Sequence, residues 1–186
     1  MALNKLIELL ERLMAWLKRM PFWKAFLLAA GFVLVWGYLV GVILYLSGAK
    51  FSTHVASSES LLSNSLFMVP LTALAEECIF RWVPMLILSF ILMYLYRSKG
   101  WSKERFFLVE KYAIFILMLV SSIVFGWVHG TAWNILLQGV SGVVFFLIYL
   151  RVFFIRRDKG LRNRWQVVSL AESTLLHTVI NALLIF

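Results

Sequence analysis

The sequence predicts an all-α membrane protein, a bundle of about five transmembrane helices preceded by an N-terminal amphipathic helix. Of its 186 residues, 62% are hydrophobic and 15% are charged, whereas a typical soluble domain is roughly 45–50% apolar. A spanning helix needs about 20 residues, so the chain has room for five or six spans and no second, water-soluble domain. The single cysteine, Cys78, excludes an intrachain disulfide and a multi-thiolate metal site.

Residues 1–21 form the first predicted element, an amphipathic helix on the membrane surface. Leu6, Leu10, Leu13 and Leu17 recur at helical spacing, and the charged residues lie mostly on the opposite arc. These charges interrupt the apolar run that a secretory signal peptide would need. We therefore expect this helix to lie in the membrane interface rather than to cross the bilayer.

Residues 22–65 hold the first span and the loop after it. The span covers residues 22–46, and Gly37 with Gly41 forms a small-xxx-small face suited to close helix packing. The remainder of the segment is polar and rich in serine, which predicts a loop. His54 lies in that loop and is interpreted as a solvated residue without a role in chemistry.

Residues 66–186 carry the other predicted spans. The first of them, 66–96, contains two prolines and has 31 residues. At about 1.5 Å per residue this is too long for one perpendicular crossing and too short for two, so it predicts a tilted or kinked helix. Further spans are predicted at 112–129, 135–154 and 167–186.

Basic residues orient these spans. Lys and Arg number 18 against 9 Asp and Glu, which gives a net charge of +9. The N-terminus and the segments 97–111 and 155–166 are basic, and they alternate with the basic-poor segments 47–65 and 130–134. The positive-inside rule then places the N-terminus in the cytoplasm. In a chain this apolar, the excess of basic over acidic residues predicts contact with the lipid bilayer and not with nucleic acid.

Three charged residues lie inside one predicted span. Insertion of a charged side chain at that depth costs at least about 2.5–3.5 kcal/mol on insertion scales, and this applies to Glu76, Glu77 and Arg81. Glu77 and Arg81 are at i,i+4 and can form an ion pair on one helix face. Glu76 points about 100° away and has no cation at i+3 or i+4, so it must be protonated or meet a partner from another helix. Two interpretations of these charges stay open: a structural ion pair and a functional carboxylate.

Polar groups on two later spans are the candidate partners. His129 ends a span four residues after Phe125, and an interfacial histidine would explain it as well. His177 and Asn181 are at i,i+4 in the last span, where interhelical hydrogen bonding is the alternative. On the predicted topology these groups and Glu76 all lie between mid-membrane and the extracytoplasmic end. One carboxylate, two imidazoles and one amide at compatible depth match a hydrolase that activates water and holds an oxyanion.

These residues fall in three short motifs that resemble those of the CAAX protease and bacteriocin-processing (Abi) family. Residues 76–81, 125–129 and 177–181 resemble its EExxxR, FxxxH and HxxxN motifs, in that order. The similarity covers about residues 66–184, and residues 66–186 would be the protease core. One departure is Trp82, at a position where members often have glycine.

The resemblance implies a glutamate-type intramembrane endopeptidase that needs no cofactor. By analogy Glu76 would be the general base acting on water, and His129 would position or activate that water. His177 and Asn181 would stabilise the tetrahedral oxyanion. The residues that would support the site are Glu77, Arg81 and Phe125.

The substrate expected from this resemblance is a membrane-tethered or exported peptide or protein in the cell membrane of a prokaryote. Processing of a CAAX-type tail, a leader peptide or a C-terminal sorting signal would fit. Two other functions stay open. In a zinc-dependent membrane protease, Glu76, His129 and His177 would bind the metal around a water molecule. In a non-enzymatic membrane immunity or scaffold protein, these polar groups would serve only the fold.

Overall fold

In a computed structural model that describes residues 2–49, 58–158 and 165–185, all of the regular secondary structure is helical, and the predicted all-α class is confirmed. Two π-helical turns interrupt the α-helices, one between α3 and α4 and one directly before α6. Because the first π turn joins its neighbours without a break, α3, the turn and α4 form one long helix. The elements are α1 (Ala2–Arg19), α2 (Phe22–Leu46), α3 (Ser58–Glu77), the first π turn (Cys78–Trp82), α4 (Val83–Lys99), α5 (Lys103–Val128), the second π turn (Ile135–Gly139), α6 (Val140–Asp158) and α7 (Trp165–Ile185).

Four helical stretches in the described part of the chain are long and apolar enough to cross a membrane, so the chain is a multi-pass membrane protein. They are Phe22–Leu46, Met68–Lys99, Lys103–Val128 and Ile135–Ile155. The predicted fifth span corresponds to α7, which has 21 residues and packs against α6 and α3.

The loops are shorter than the sequence predicted. α3 begins at Ser58, inside the segment 47–65 that was predicted to be a loop, and His54 lies outside the described residues. Likewise α6 continues to Asp158, beyond the predicted end at 154. Polar residues outside the bilayer do not stop a helix, because its backbone hydrogen bonds are internal. Hydropathy therefore marked where the apolar stretch ends and not where the helix ends.

A three-residue turn replaces the predicted basic loop 97–111. Gly100 adopts φ +57°, a left-handed conformation that ends α4. Two residues later the Ser102 hydroxyl accepts a hydrogen bond from the backbone N–H of Arg105, which caps the start of α5. The basic residues of this segment thus lie on helix ends.

α1 packs against the bundle at the basic end of α5. Its buried row is Ile7, Met14 and Leu17, whereas Leu6 and Leu13, which the spacing placed on the apolar face, are exposed. The buried row contacts the helical core and the other row faces outward, where lipid would cover it. The helix is therefore apolar on two sides, as suits a segment that lies between a bundle and a membrane surface.

α2 contacts the rest of the bundle through small residues near its beginning and, further along, through Val33 and Leu44. Ala25, Ala29 and Ala30 are buried. A Cβ added at Gly37 or Gly41 would meet nothing within 4 Å. No described helix therefore packs closely against these two glycines.

Candidate functional site

The predicted ion pair between Glu77 and Arg81 is present and buried. Nη1 of Arg81 lies 2.8 Å from Oε1 of Glu77, and neither side chain is more than 1% exposed. The guanidinium also lies over the rings of Phe125 and Phe145, at 4.6 Å and 5.4 Å from their centroids. Its Nη2 donates to the carbonyl of Gly142 at 3.4 Å. A charge at this depth is thus compensated by a carboxylate, two aromatic faces and a backbone carbonyl.

Glu76 finds its partners on two other helices. Its Oε1 lies 3.7 Å from Nε2 of His129, and its Oε2 lies 3.4 Å from Nε2 of His177. The side chain is 22% exposed, whereas that of Glu77 is fully buried. The neighbouring carboxylates are therefore different: Glu77 is enclosed, and Glu76 is partly exposed.

His177 connects the two carboxylates. Its Nδ1 lies 3.0 Å from Oε1 of Glu77, on the opposite side of the ring from the nitrogen that faces Glu76. The ring stacks on Phe145 with centroids 4.4 Å apart and an interplanar angle of 24°. The contact of His177 with Glu77 is a hydrogen bond, whereas its Nε2 and the Glu76 Oε2 are 3.4 Å apart and form only a looser contact.

His129 is oriented from its own helix. It comes directly after the last residue of α5, and its Nδ1 lies 2.6 Å from the carbonyl oxygen of Phe125, so this nitrogen is the donor. The imidazole also packs on the Phe125 ring at 4.5 Å. With Nδ1 used in this way, Nε2 is the nitrogen that faces Glu76.

The loop after His129 is fastened by Asn134, which is fully buried. Its Oδ1 accepts from both the backbone N–H and the hydroxyl of Thr131, at 3.1 and 3.0 Å. Its Nδ2 donates to Gln138 at 3.0 Å. At the start of the loop Gly130 has φ +140°, a conformation that favours glycine. These hydrogen bonds fix the backbone conformation of the loop that follows His129.

Three glycines let α5 come close to the second π turn and to the start of α6 behind the site. A Cβ at Gly126 would lie 2.6 Å from Cα of Ile135, so the backbones are too close for any side chain. A Cβ at Gly139 would lie 3.0 Å from the Ser122 carbonyl oxygen, and one at Gly142 would lie 3.1 Å from the Phe125 ring. This close crossing holds the Phe125 end of α5 beside Arg81.

The two π turns share one feature. In the first, the carbonyl of Phe80 accepts a hydrogen bond from the Ser121 hydroxyl on α5. In the second, the carbonyl of Leu136 accepts from Nε1 of Trp36 on α2 at 2.7 Å. Each π turn is therefore tied to a neighbouring helix by a side chain.

Asn181 is the predicted site residue that the structure does not bring into polar contact. It is half-buried and lies one helical turn beyond His177. Among the described residues it makes no hydrogen bond, whereas Glu76, His129 and His177 lie together. Trp82 is half-buried and packs against the hydrophobic core.

Sequence reasoning missed a second buried charge, Arg151 on α6. Its Nε and Nη2 donate to the carbonyls of Leu17 and Met20 at 2.9 and 2.7 Å, and its Nη1 lies 3.6 Å from Glu172 on α7. The signal was present in the sequence, because Arg151 lies within the predicted span 135–154 and Glu172 within the predicted span 167–186.

The described residues contain no group of three or more His, Cys, Asp or Glu arranged to hold a metal ion. Comparisons of the chain with protein families, with curated proteins and with solved structures find no match.

Proposed function

We propose that the chain is a glutamate-type intramembrane endopeptidase that resembles the CAAX protease and Abi family. The observation that carries the proposal is the position of Glu76, whose carboxylate lies between two imidazoles at 3.4 and 3.7 Å and is partly exposed. A carboxylate next to two imidazoles can take a proton from water and pass it on. Beside it, the buried Glu77–Arg81 pair fixes the orientation of His177.

In this mechanism a water molecule bound at Glu76 attacks the carbonyl carbon of the scissile peptide bond. Glu76 takes one proton from the water, and the carbonyl oxygen becomes a tetrahedral oxyanion. His129 orients the water, since its Nε2 faces the same carboxylate. His177 and Asn181 stabilise the oxyanion by hydrogen bonds. When the C–N bond breaks, the proton held by Glu76 goes to the leaving amine, which restores the carboxylate.

The site lies at the end of α5 that is remote from the basic turn. From Lys111 to His129 the chain runs about 27 Å at 1.5 Å per residue. If the basic helix ends face the cytoplasm, the N-terminus is cytoplasmic and the site opens toward the extracytoplasmic half of the membrane. The substrate we propose is a membrane-tethered or exported peptide or protein in a prokaryotic cell membrane.

The decisive variant is Glu76→Gln, which keeps the shape of the side chain and removes its basicity. Removal of a general base is expected to lower the rate of hydrolysis at least about 100-fold. Membrane peptides are compared by mass spectrometry between cells that produce the wild type and cells that produce the variant, and any peptide that accumulates is incubated with both purified proteins. Glu8→Gln, at an exposed position of α1, is the matched control.

Equal cleavage by a folded Glu76→Gln protein would contradict the proposal. Activity that is lost on exhaustive chelation and restored by Zn²⁺ would favour the zinc protease instead. If substitutions at Glu76, His129 and His177 all left the cellular function intact, the chain would be an immunity or scaffold protein, because such a protein does not need these groups for chemistry.

A further inference from the structure

A cavity of about 540 Å³ lies between α1, the first half of α5 and the second half of α6. Its volume is within the range of about 300–1,000 Å³ that small-molecule sites occupy. Its walls are apolar, and several of the side chains in them belong to the hydrophobic core. These wall residues are Ile7, Leu10, Met14, Ile114, Phe115 and Leu150.

The charged residues that line this cavity carry both signs. The carboxylates are Glu11, Glu104 and Glu110, and the ammonium groups are Lys18 and Lys111. Glu11 and Lys111 pair across the cavity, with Nζ 2.9 Å from Oε1. Among the described residues the lining thus presents both negative and positive groups, which favour a headgroup that itself carries both signs.

The position of the cavity matches an amphipathic ligand from the bilayer. α1 is a surface helix, so its charged residues lie at headgroup depth, while the wall from α5 and α6 continues into the apolar region. On α5, Phe107 and Leu108 line the cavity and are 54% and 52% exposed. An acyl chain can therefore enter from the surrounding leaflet.

We propose that this cavity binds one zwitterionic phospholipid with a primary ammonium headgroup, such as phosphatidylethanolamine. One acyl chain occupies the apolar interior below α1. The phosphate lies near the lysines, and the ammonium donates to the carboxylates, with the exposed Glu104 among its partners. The site is at the opposite end of α5 from His129, and the proposal does not depend on the proteolytic function.

The experiment uses the full-length protein in vesicles with equal amounts of phosphatidylethanolamine, phosphatidylcholine and phosphatidylglycerol. After mild detergent extraction, native mass spectrometry counts and identifies the lipid that stays bound. We expect one retained lipid per chain, enriched several-fold in phosphatidylethanolamine over the vesicle composition. Glu104→Gln is expected to reduce this enrichment over phosphatidylcholine. Enrichment of phosphatidylglycerol, or no enrichment, would overturn the proposal.

A cavity-filling variant tests the location. Ala15 lines the cavity from an exposed position on α1, so Ala15→Phe adds volume there without displacing a core residue. It should lose the retained lipid, whereas Leu9→Phe on the outward row of α1 should keep it. Equal retention by both variants would contradict the assignment.

A second measurement needs no variant. A phosphatidylethanolamine with a photoactivatable group on its acyl chain should crosslink to the wild-type protein at peptides of α1 and the first half of α5. Crosslinks spread evenly over the helices that face lipid would mean that only general boundary lipid is bound, and this would also overturn the proposal.

Discussion

Arg81 and Arg151 are both buried in apolar helices, at 1% and 5% exposure, but they have different partners. Arg81 contacts the carboxylate of Glu77 at 2.8 Å, one helical turn before it on the same long helix. Arg151 donates instead to two backbone carbonyls at the end of α1, and the Glu172 carboxylate is 3.6 Å away. One arginine balances a side-chain charge, and the other satisfies the carbonyl end of a helix.

The difference shows that a charge inside a membrane helix does not by itself mark a site of chemistry. Next to Arg81 lie a second carboxylate and two imidazoles, so titratable groups gather around it. Arg151 instead joins three helices, because its partners belong to α1 and α7 while it lies on α6. The side chains around a buried arginine therefore distinguish a candidate site of chemistry from a structural contact between helices.

The largest effect on stability is expected from Arg81→Met. This change leaves Glu77 buried without its cation, and breaking a buried pair typically costs about 3–5 kcal/mol. The free energy of unfolding in detergent, from denaturant titration, measures it. The double variant Arg81→Met with Glu77→Leu should be less destabilised than Arg81→Met alone, since it removes the uncompensated charge as well. A double variant as unstable as the single would show that the charge pair is not the cause.

A smaller loss is expected from Gly126→Ala. The added Cβ would lie 2.6 Å from Cα of Ile135, and only movement of the backbone relieves that contact. Overpacking of this kind costs about 1–3 kcal/mol. Gly41→Ala is the matched control, because a Cβ there meets nothing within 4 Å and alanine is the better helix former. If both variants unfold at the same denaturant concentration, the backbones behind the site are not too close for a side chain at Gly126.

Arg151→Met should have the smallest effect on global unfolding and a clear effect on α1. The two hydrogen bonds that are lost hold only the end of α1, so their loss should loosen this helix locally without unfolding the rest of the bundle. Hydrogen exchange measured by mass spectrometry should then show faster exchange in α1 and unchanged exchange in α5. Arg12→Met, at an exposed position on α1, is the control. Equal exchange in both variants would mean that Arg151 does not anchor the helix.

The parts of this structure that could be predicted from sequence depend on local spacing or on membrane depth. The pair of Glu77 with Arg81 can be predicted from helix periodicity alone. Because Glu76 has no cation nearby on its own helix, it can also be predicted that its partner lies on another helix. Matching depth on the predicted topology indicated His129, His177 and Asn181 as candidate partners, and the two histidines are the ones that face Glu76.

The parts that could not be predicted depend on how helices meet. Gly37 and Gly41 have the spacing of a packing face, but α2 uses its alanines instead, and periodicity cannot distinguish the two faces. Asn181 shares a helix face with His177, yet rotation of α7 about its axis decides which side chain reaches the carboxylates. Neither π turn leaves a signal in hydrophobic spacing.

The first π turn changes which face α4 turns toward its neighbours. An additional residue in a helical turn rotates the remainder of the helix by about 100°. The Ser121 hydroxyl of α5, bonded to the Phe80 carbonyl, holds the helix at that point. An uninterrupted α-helix of the same sequence would therefore direct the α4 side chains that contact α5 to a different side of the bundle.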